Sequence, residues 1–489
     1  MNAPITRLFI AVLVLFTLLV AFTSNWSVFD ADELEAKTEN KRPLFEAQQI
    51  ERGKIFTSDG EVIADSIKKG SGDSLRYIRQ YPKGSLFGNP IGYSFITQGT
   101  VGFERSEQAI LTGDENEFVS IIDQIRGQQR EGSDIVTTLD AGAQQLAVDK
   151  IAEYGGGEPG AVVAIVPDTG AVRVMASTPG YDPNTVPTDI KQLNKAEPPV
   201  LKDRTIQEPY PPGSTMKVVT AAAALDSGEV DADEPIDSPS GLKISGVPLA
   251  NDFDRDWPGL TMETALTNSV NTYFAQVGER IGPETLLEYM KRFGFEKDPE
   301  VEIPDNQKAP SGVYASTDNG LELTEDGFDV GRVAIGQGGE EGQLLATPFQ
   351  MAEVASTIAN GGKLMKPTLV QEVKDPDGRT SQELDPEVQS DVISDDTAAT
   401  LSQMMTSVVD EGTAAALSGD LGGTTFAGKT GTAEINLEGL NQPWFIAFAP
   451  ADDPQIAVAA TVERCNGCFG GEVAGPIATA VMNDLLNGG

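Results

Sequence analysis

The residues whose side chains could carry out a reaction lie in three short groups, and the first group contains a serine and a lysine. Ser214-Thr-Met-Lys217 follows Pro211-Pro-Gly213. On a helix, positions i and i+3 share one face, so the amine of Lys217 can reach the hydroxyl of Ser214. Serine is a weak nucleophile until a base takes its proton, and a desolvated, neutral lysine is such a base. The pattern alone has little specificity, because Ser66-Ile-Lys-Lys69 also matches it.

The second group is Ser269-Val-Asn271, in the run LTNSVNTYFAQ. A second hydroxyl beside the lysine can relay a proton, and an amide side chain can hold a substrate peptide bond. The alternative is that these residues only cap the start of a helix.

The third group is Lys429-Thr-Gly-Thr432, in a run that predicts a strand. Gly431 would let a second backbone approach, so that a substrate peptide adds to the strand edge. Lys429 would supply a fixed positive charge, and the hydroxyls of Thr430 and Thr432 can hold a carboxylate. The alternatives are an exposed turn or an anion-binding loop.

The composition restricts the chemistry further, because the chain has no histidine. Every Ser-His-Asp or Cys-His site and every zinc site built on imidazole is therefore excluded. The two cysteines, Cys465 and Cys468, are too few to complete a zinc site, so we expect no metal. A local disulfide and two unreacted thiols fit the Cys-Asn-Gly-Cys spacing equally well, and a redox-active motif fits less well.

Charge and length restrict the class of protein. With 74 acidic and 35 basic residues the formal charge is −39, which repels phosphates and argues against nucleic acid binding. The 489 residues predict two or three domains, and a hydrophobic content of 39% is enough for a large core.

The N-terminus predicts a membrane anchor. Residues 8–22 are apolar except for Thr17, Arg7 precedes them, and acidic residues follow Trp26. This asymmetry places the N-terminus in the cytoplasm and the rest of the chain outside. A cleaved signal peptide is the alternative, although no convincing cleavage site follows. The acidic residues are Asp30, Asp32, Glu33 and Glu35.

The remaining pattern predicts a mixed α/β domain behind a small, irregular module. Two hairpins are expected, one over 160–177 and one over 444–462, with a helix from Ser214 to Gly228 and a last helix over 473–486. Strands at both ends imply one sheet shared by the two ends of the domain. The predicted division is 1–28 for the cytoplasmic tip and transmembrane anchor, 29–155 for an extracytoplasmic pedestal or dimerisation-like domain, and 156–489 for the catalytic domain.

Taken in order, S-x-x-K, S-x-N and K-T-G form the set found in β-lactamases and penicillin-binding proteins. The chain resembles the class B penicillin-binding transpeptidases, actinobacterial members above all, through YPPGST, KTGTAE and WFIAFAP, and also through RGKIFTSDGEVIA and TPFQMA. The resemblance covers nearly the whole chain. It implies a serine β-lactamase-like fold with a central antiparallel sheet flanked by helices.

The resemblance also implies roles for the residues. Ser214 would attack the D-Ala-D-Ala carbonyl of a stem peptide. Lys217 would act as its base, with a pKa lowered by burial and by the positive charge of Lys429. Ser269 would pass the proton to the leaving amine, and Asn271 would orient the substrate amide. Thr430 and Thr432 would hold the terminal carboxylate, with Gly431 between them in the substrate-binding strand. The backbone N–H groups of Ser214 and Thr432 would form the oxyanion hole. No cofactor is implied.

The implied partners are donor and acceptor stem peptides of peptidoglycan, β-lactams as covalent inhibitors, the membrane, and division or elongation proteins. A β-lactamase of the common serine class would carry E-x-x-L-N, and no Leu-Asn occurs between Asn271 and Lys429. A D,D-carboxypeptidase, which uses water as acceptor, stays open. A non-catalytic division scaffold is the alternative of another kind, and the intact motifs argue against it.

Overall fold

The structure, a computed structural model, covers most of the chain. The residues it describes are 3–24, 49–71, 75–114, 131–317, 320–339, 342–435 and 439–488. Trp26 and the acidic residues predicted to follow the membrane lie outside them.

The first helix spans Ala3–Ser24 and is exposed along its length. Its 22 residues include no buried side chain, and its large apolar side chains are exposed. Among the described residues it is the one helix long and apolar enough to cross a membrane. A chain with such a segment is suited to membrane anchoring.

The N-terminal module is built on a six-stranded sheet. Its central strands, Ile55–Phe56 and Asp134–Thr137, are parallel, and the other pairs are antiparallel. Two of its strands come from residues 370–383, far along the chain, which no sequence pattern indicated. In spatial order the strands are Thr380–Glu383, Val370–Lys374, Asp134–Thr137, Ile55–Phe56, Val62–Lys69 and Arg76–Gln80.

The second module is built on an antiparallel sheet that joins the two ends of the domain, as predicted. Both predicted hairpins are present and lie side by side, because Ile456–Val462 pairs with Gly160–Ile165. Every residue of these two strands is buried, so the sheet is covered on both faces. In spatial order the strands are Ala427–Glu434, Leu440–Ala449, Ile456–Val462, Gly160–Ile165 and Val172–Thr178, with Cys465–Asn466 added beside Leu440–Ala449.

Two layers of helices cover this sheet. One layer consists of Ala141–Tyr154 and Ala474–Asn487, which contact each other and the sheet. The other contains Pro348–Ala359, Asp395–Asp410 and Lys217–Asp226. The predicted α/β architecture is confirmed. The helix Ala141–Tyr154 packs on the second sheet, although it precedes residue 155, and residues 370–383 belong to the first sheet, although they follow it. The domain limits at 28 and 155 therefore stay predictions.

Further helices and strands complete the described part, and the longest of them is the 22-residue helix Asn271–Arg292. The remaining helices are Gly88–Ile91, Phe103–Ser106, Gln108–Thr112, Val186–Leu193, Met262–Thr267, Asn271–Arg292 and Val330–Val333. The remaining strands are Tyr93–Phe95, Gly99–Val101, Ile236–Ser238, Leu242–Ile244, Val247–Leu249, Trp257–Leu260, Gly312–Thr317, Gly320–Leu323, Gly338–Gly339, Gly342–Leu345, Lys363–Met365 and Val388–Asp391.

Candidate active site

Ser214 lies at the start of the predicted helix. Residues Gly213–Met216 form a 3-10 turn that continues into the helix Lys217–Asp226. The approach to the turn is held from two sides: Trp444 Nε1 donates to the carbonyl of Pro211 at 2.9 Å, and the Gly213 N–H donates to the carbonyl of Gly336 at 3.0 Å. Ser214 is half-buried while Lys217 is fully buried. The serine is thus open to a ligand and the lysine is not.

The second S-x-x-K match, Ser66 to Lys69, has a different structure. It lies on the strand Val62–Lys69, where positions i and i+3 point to opposite faces. The hydroxyl of Ser66 donates instead to the carbonyl of Arg52 at 3.0 Å. This match therefore cannot form a serine–lysine pair.

Lys217 is held by three oxygen atoms of the second motif. Its Nζ lies 2.6 Å from the carbonyl oxygen of Ser269, 2.7 Å from Asn271 Oδ1 and 3.2 Å from Ser269 Oγ. A neutral amine has two hydrogens and one lone pair. The carbonyl and amide oxygens accept both hydrogens, because neither can donate. The lone pair of a neutral Lys217 is then left for a hydroxyl proton.

Ser269 lies in the link between the helices Met262–Thr267 and Asn271–Arg292. Its φ is +55°, which is costly for a residue other than glycine and is typical of functional sites. The cap of the following helix is Val270, with no side-chain hydrogen bond, so the helix-cap interpretation is wrong. Asn271 has one amide hydrogen engaged by the carbonyl of Ala250 at 3.1 Å, and its second hydrogen can meet a substrate.

Lys429 approaches Ser269 from the third motif. It lies on the strand Ala427–Glu434, as predicted, and is fully buried. Its Nζ donates to Ser269 Oγ at 3.0 Å and to the carbonyl of Thr430 at 2.8 Å. The hydroxyl of Ser269 is thus bracketed by two lysine nitrogens, and the three sequence motifs meet at this one oxygen.

Burial lowers the pKa of both lysines. It takes the pKa of Lys429 from 10.5 to about 7, so its charge titrates near neutral pH and is not fixed. The pKa of Lys217 is lowered well below 10.5, first by burial and then by the charge of Lys429. The carboxylate of Asp252 opposes both shifts. A neutral Lys217 is therefore accessible in the folded protein.

The two threonines of the third motif form the other side of the site. Thr430 Oγ1 and Thr413 Oγ1 lie 2.6 Å apart, and the backbone N–H of Gly470 donates to Thr432 Oγ1 at 3.2 Å. Their strand is the edge of the sheet. A Cβ at Gly431 would lie 2.8 Å from the carbonyl oxygen of Pro212, so the serine turn itself requires glycine there.

Sequence reasoning missed Asp252, Thr413 and Gly470. None stands at a characteristic spacing from the three motifs, and only the fold brings them close. Cys465 and Cys468 form a disulfide, which resolves the alternatives for this pair. No cluster of three or more metal-ligating side chains occurs within the described ranges.

A half-buried serine one helical turn before a desolvated lysine, with a relay hydroxyl and an edge strand, is the arrangement of a serine acyl-transfer enzyme that works without histidine. Comparison with known families gives the rest. The family described as penicillin binding protein transpeptidase domain matches residues 160–483, and penicillin binding protein A dimerisation domain matches residues 52–135. The chain belongs to the class B penicillin-binding protein transpeptidases.

Individual relatives agree over the full length. The chain is 33% identical over 512 residues to the peptidoglycan D,D-transpeptidase PbpA of Mycolicibacterium smegmatis, which covers 100% of both chains. It is 33% identical over 514 residues to PbpA of Mycobacterium tuberculosis, again with 100% of both covered.

Solved structures give the same result. The ceftriaxone acyl-enzyme of penicillin-binding protein A from M. tuberculosis superposes with a TM-score of 0.78 at 30% identity, covering 90% of this chain and 98% of that one. The penicillin G acyl-enzyme of the same protein gives a TM-score of 0.76 at 31% identity, over 89% and 100%.

Proposed function

We propose that this chain is a peptidoglycan D,D-transpeptidase that forms peptide cross-links through an acyl-enzyme on Ser214 and is inhibited by β-lactams. The contacts of Ser269 and Asn271 with Lys217, one helical turn after the half-buried Ser214, and of Lys429 with Ser269 carry the proposal. The relatives named D,D-transpeptidases and the β-lactam acyl-enzymes of a structural neighbour support it.

In acylation, Ser214 Oγ attacks the carbonyl carbon of the D-Ala-D-Ala peptide bond while neutral Lys217 takes the hydroxyl proton. The C–N bond then breaks, and the terminal D-alanine leaves after its nitrogen receives a proton through Ser269. The backbone N–H groups of Ser214 and Thr432 stabilise the oxyanion. The contacts of Ser269 Oγ with both lysine nitrogens support this relay, at 3.2 Å and 3.0 Å.

In transfer, the side-chain amine of a neighbouring stem peptide attacks the acyl carbonyl and the ester C–O bond breaks. The proton that the amine loses passes to Ser214 Oγ, which leaves the cross-link and a free serine. Thr430 and Thr432 bind the carboxylate of the donor, Asn271 orients its amide, and Gly431 lies between the two threonines on the edge strand. A hydrolytic outcome would make the chain a carboxypeptidase, and the acceptor decides between the two.

The location follows from the first helix. We propose a single-pass anchor with the N-terminus in the cytoplasm and the catalytic domain outside, where stem peptides and partners of the division or elongation machinery are present. Arg7 before the apolar run and the acidic residues after it support this orientation. Protease added to spheroplasts should remove the catalytic domain. Full protection of the domain from protease would show that the orientation is the opposite one.

The nucleophile is tested by labelling the purified chain with a fluorescent penicillin. Ser214→Ala should abolish the label, whereas Ser66→Ala, the matched control from the second S-x-x-K match, should label like the wild type. Peptide mapping should place the adduct on Ser214, and supplied stem peptides should yield a cross-linked product. Label that persists in Ser214→Ala would refute the assignment, and rapid loss of label would indicate a hydrolase.

A further inference from the structure

The loop that contains the disulfide is anchored on the active-site hairpin. We define the disulfide loop as residues 465–471. Its start, Cys465–Asn466, pairs with Leu440 and Asn441. The side chain of Asn441 donates to the carbonyl of Cys468 at 3.0 Å. The strand that contains Asn441 is hydrogen-bonded along its length to the strand of the third motif. The loop thus lies on the neighbour of the strand that presents the two threonines.

The end of the disulfide loop contacts the third motif directly. Gly470 lies so close to it that a Cβ there would be 2.3 Å from the carbonyl oxygens of Gly431 and Trp444. Its N–H donates to Thr432 Oγ1 at 3.2 Å. A Cβ on Gly471 would lie 3.5 Å from Thr430 Cγ2. The loop therefore contacts Thr432 directly and passes next to Thr430, the two threonines assigned to the substrate carboxylate.

The bond from Gly470 determines what Thr432 can offer a ligand. A backbone N–H can only donate, so it occupies a lone pair of the Thr432 hydroxyl. The hydroxyl hydrogen is then left to donate to another group, and a carboxylate is the strongest acceptor. Without that N–H, the hydroxyl can rotate and donate to a backbone carbonyl instead.

The disulfide restricts the position of Gly470. Cys468 precedes Gly470 by two residues and is covalently tied to Cys465, which the sheet holds. Closing a short loop removes conformations in which its end moves away. The carbonyl of Gly470 also accepts the N–H of Gly475 at 2.8 Å, at the start of the last helix.

We propose that the disulfide loop is a positioning element that orients the Thr432 hydroxyl and so sets the preference for ligands with a carboxylate beside the scissile bond. The inference rests on the proposed function and adds a specificity determinant outside the three motifs. Cys465, Cys468 and Gly470 act through Thr432 and touch no reacting atom.

The test compares a penicillin with its neutral methyl ester. The second-order acylation rate constant of each is measured on the wild type, on Cys465→Ala/Cys468→Ala and on Thr432→Val. For the cysteine variant we expect the rate constant of the acid to fall about tenfold, mainly in the binding step, and that of the ester to change less than twofold. When the cysteine changes are added to Thr432→Val, the rate constant of the acid should fall little further than in Thr432→Val alone, because both changes act on the same hydroxyl.

Two controls separate positioning from damage. The chain has two cysteines only, so dithiothreitol should reproduce the loss in the wild type and leave the cysteine variant unchanged. The melting temperature reports the fold. Equal losses for acid and ester, or no loss for either, would overturn the inference. The proposed function fails separately, if neither the acid nor the ester acylates Ser214 in the wild type.

Discussion

Replacement of Lys429 by methionine should stabilise the fold while it impairs the enzyme. Methionine keeps much of the lysine volume and removes the titrating amine. In the folded protein Lys429 binds a proton only below about pH 7, because burial opposes its charge. In the unfolded chain it stays protonated up to its ordinary pKa of 10.5. Between these values the unfolded state binds more protons, so the stability of the wild type falls as pH decreases through this window.

The size of the effect follows from the two pKa values. The titration of Lys429 lowers the free energy of unfolding of the wild type by about 4 kcal/mol at pH 7 and by about 2 kcal/mol at pH 9, relative to a residue that does not titrate. The variant also gives up the hydrogen bonds of Lys429 to Ser269 Oγ and the Thr430 carbonyl, at about 1 kcal/mol each. That second cost does not depend on pH. The stability advantage of Lys429→Met should therefore shrink by about 2 kcal/mol from pH 7 to pH 9.

The assay is urea denaturation of both proteins at pH 7 and pH 9, with penicillin acylation measured in parallel. Acylation should fall strongly in the variant, because Ser269 loses one of its two flanking nitrogens and the pKa of Lys217 rises when the repulsion is removed. A stability difference that stays constant with pH would show that Lys429 does not titrate in this range, and would refute the reasoning.

Two further predictions concern buried titrating groups. Lys217→Arg should lower the acylation rate constant about 10²- to 10⁴-fold with ligand binding largely kept, because arginine cannot act as a base, and near wild-type acylation in stopped-flow measurements would exclude the lysine-base mechanism. Burial and the charge of Glu300 raise the pKa of Glu353 to about 8, so the folded state binds the extra proton between pH 4.5 and 8 and stability falls as pH rises through that range. In urea denaturation, Glu353→Gln should therefore have a free energy of unfolding about 3 kcal/mol above that of the wild type at pH 7 and under 1 kcal/mol above it at pH 5. A variant with the same pH dependence as the wild type would contradict this prediction.

Much of the catalytic domain was predictable from local pattern. The apolar runs of both hairpins and the helix after Ser214 form where the periodicity indicated, because each segment buries its own apolar residues on the shared core. The strand around Lys429 was predicted for the same reason. The N-terminal sheet was not, since two of its six strands come from residues 370–383 and their pairing depends on distant partners.

The sequence by itself determined the chemistry of this protein. The absence of histidine left lysine as the base, and the order of the three motifs indicated the family. Both observations depend only on residue type and on position along the chain. Tertiary structure decided which of two S-x-x-K matches could pair, since residues three apart share a face on a helix and not on a strand. It also decided the charge of Lys429 and brought Thr413, Asp252 and Gly470 to the site. Burial and through-space contact set these properties, and neither can be read from neighbours in sequence.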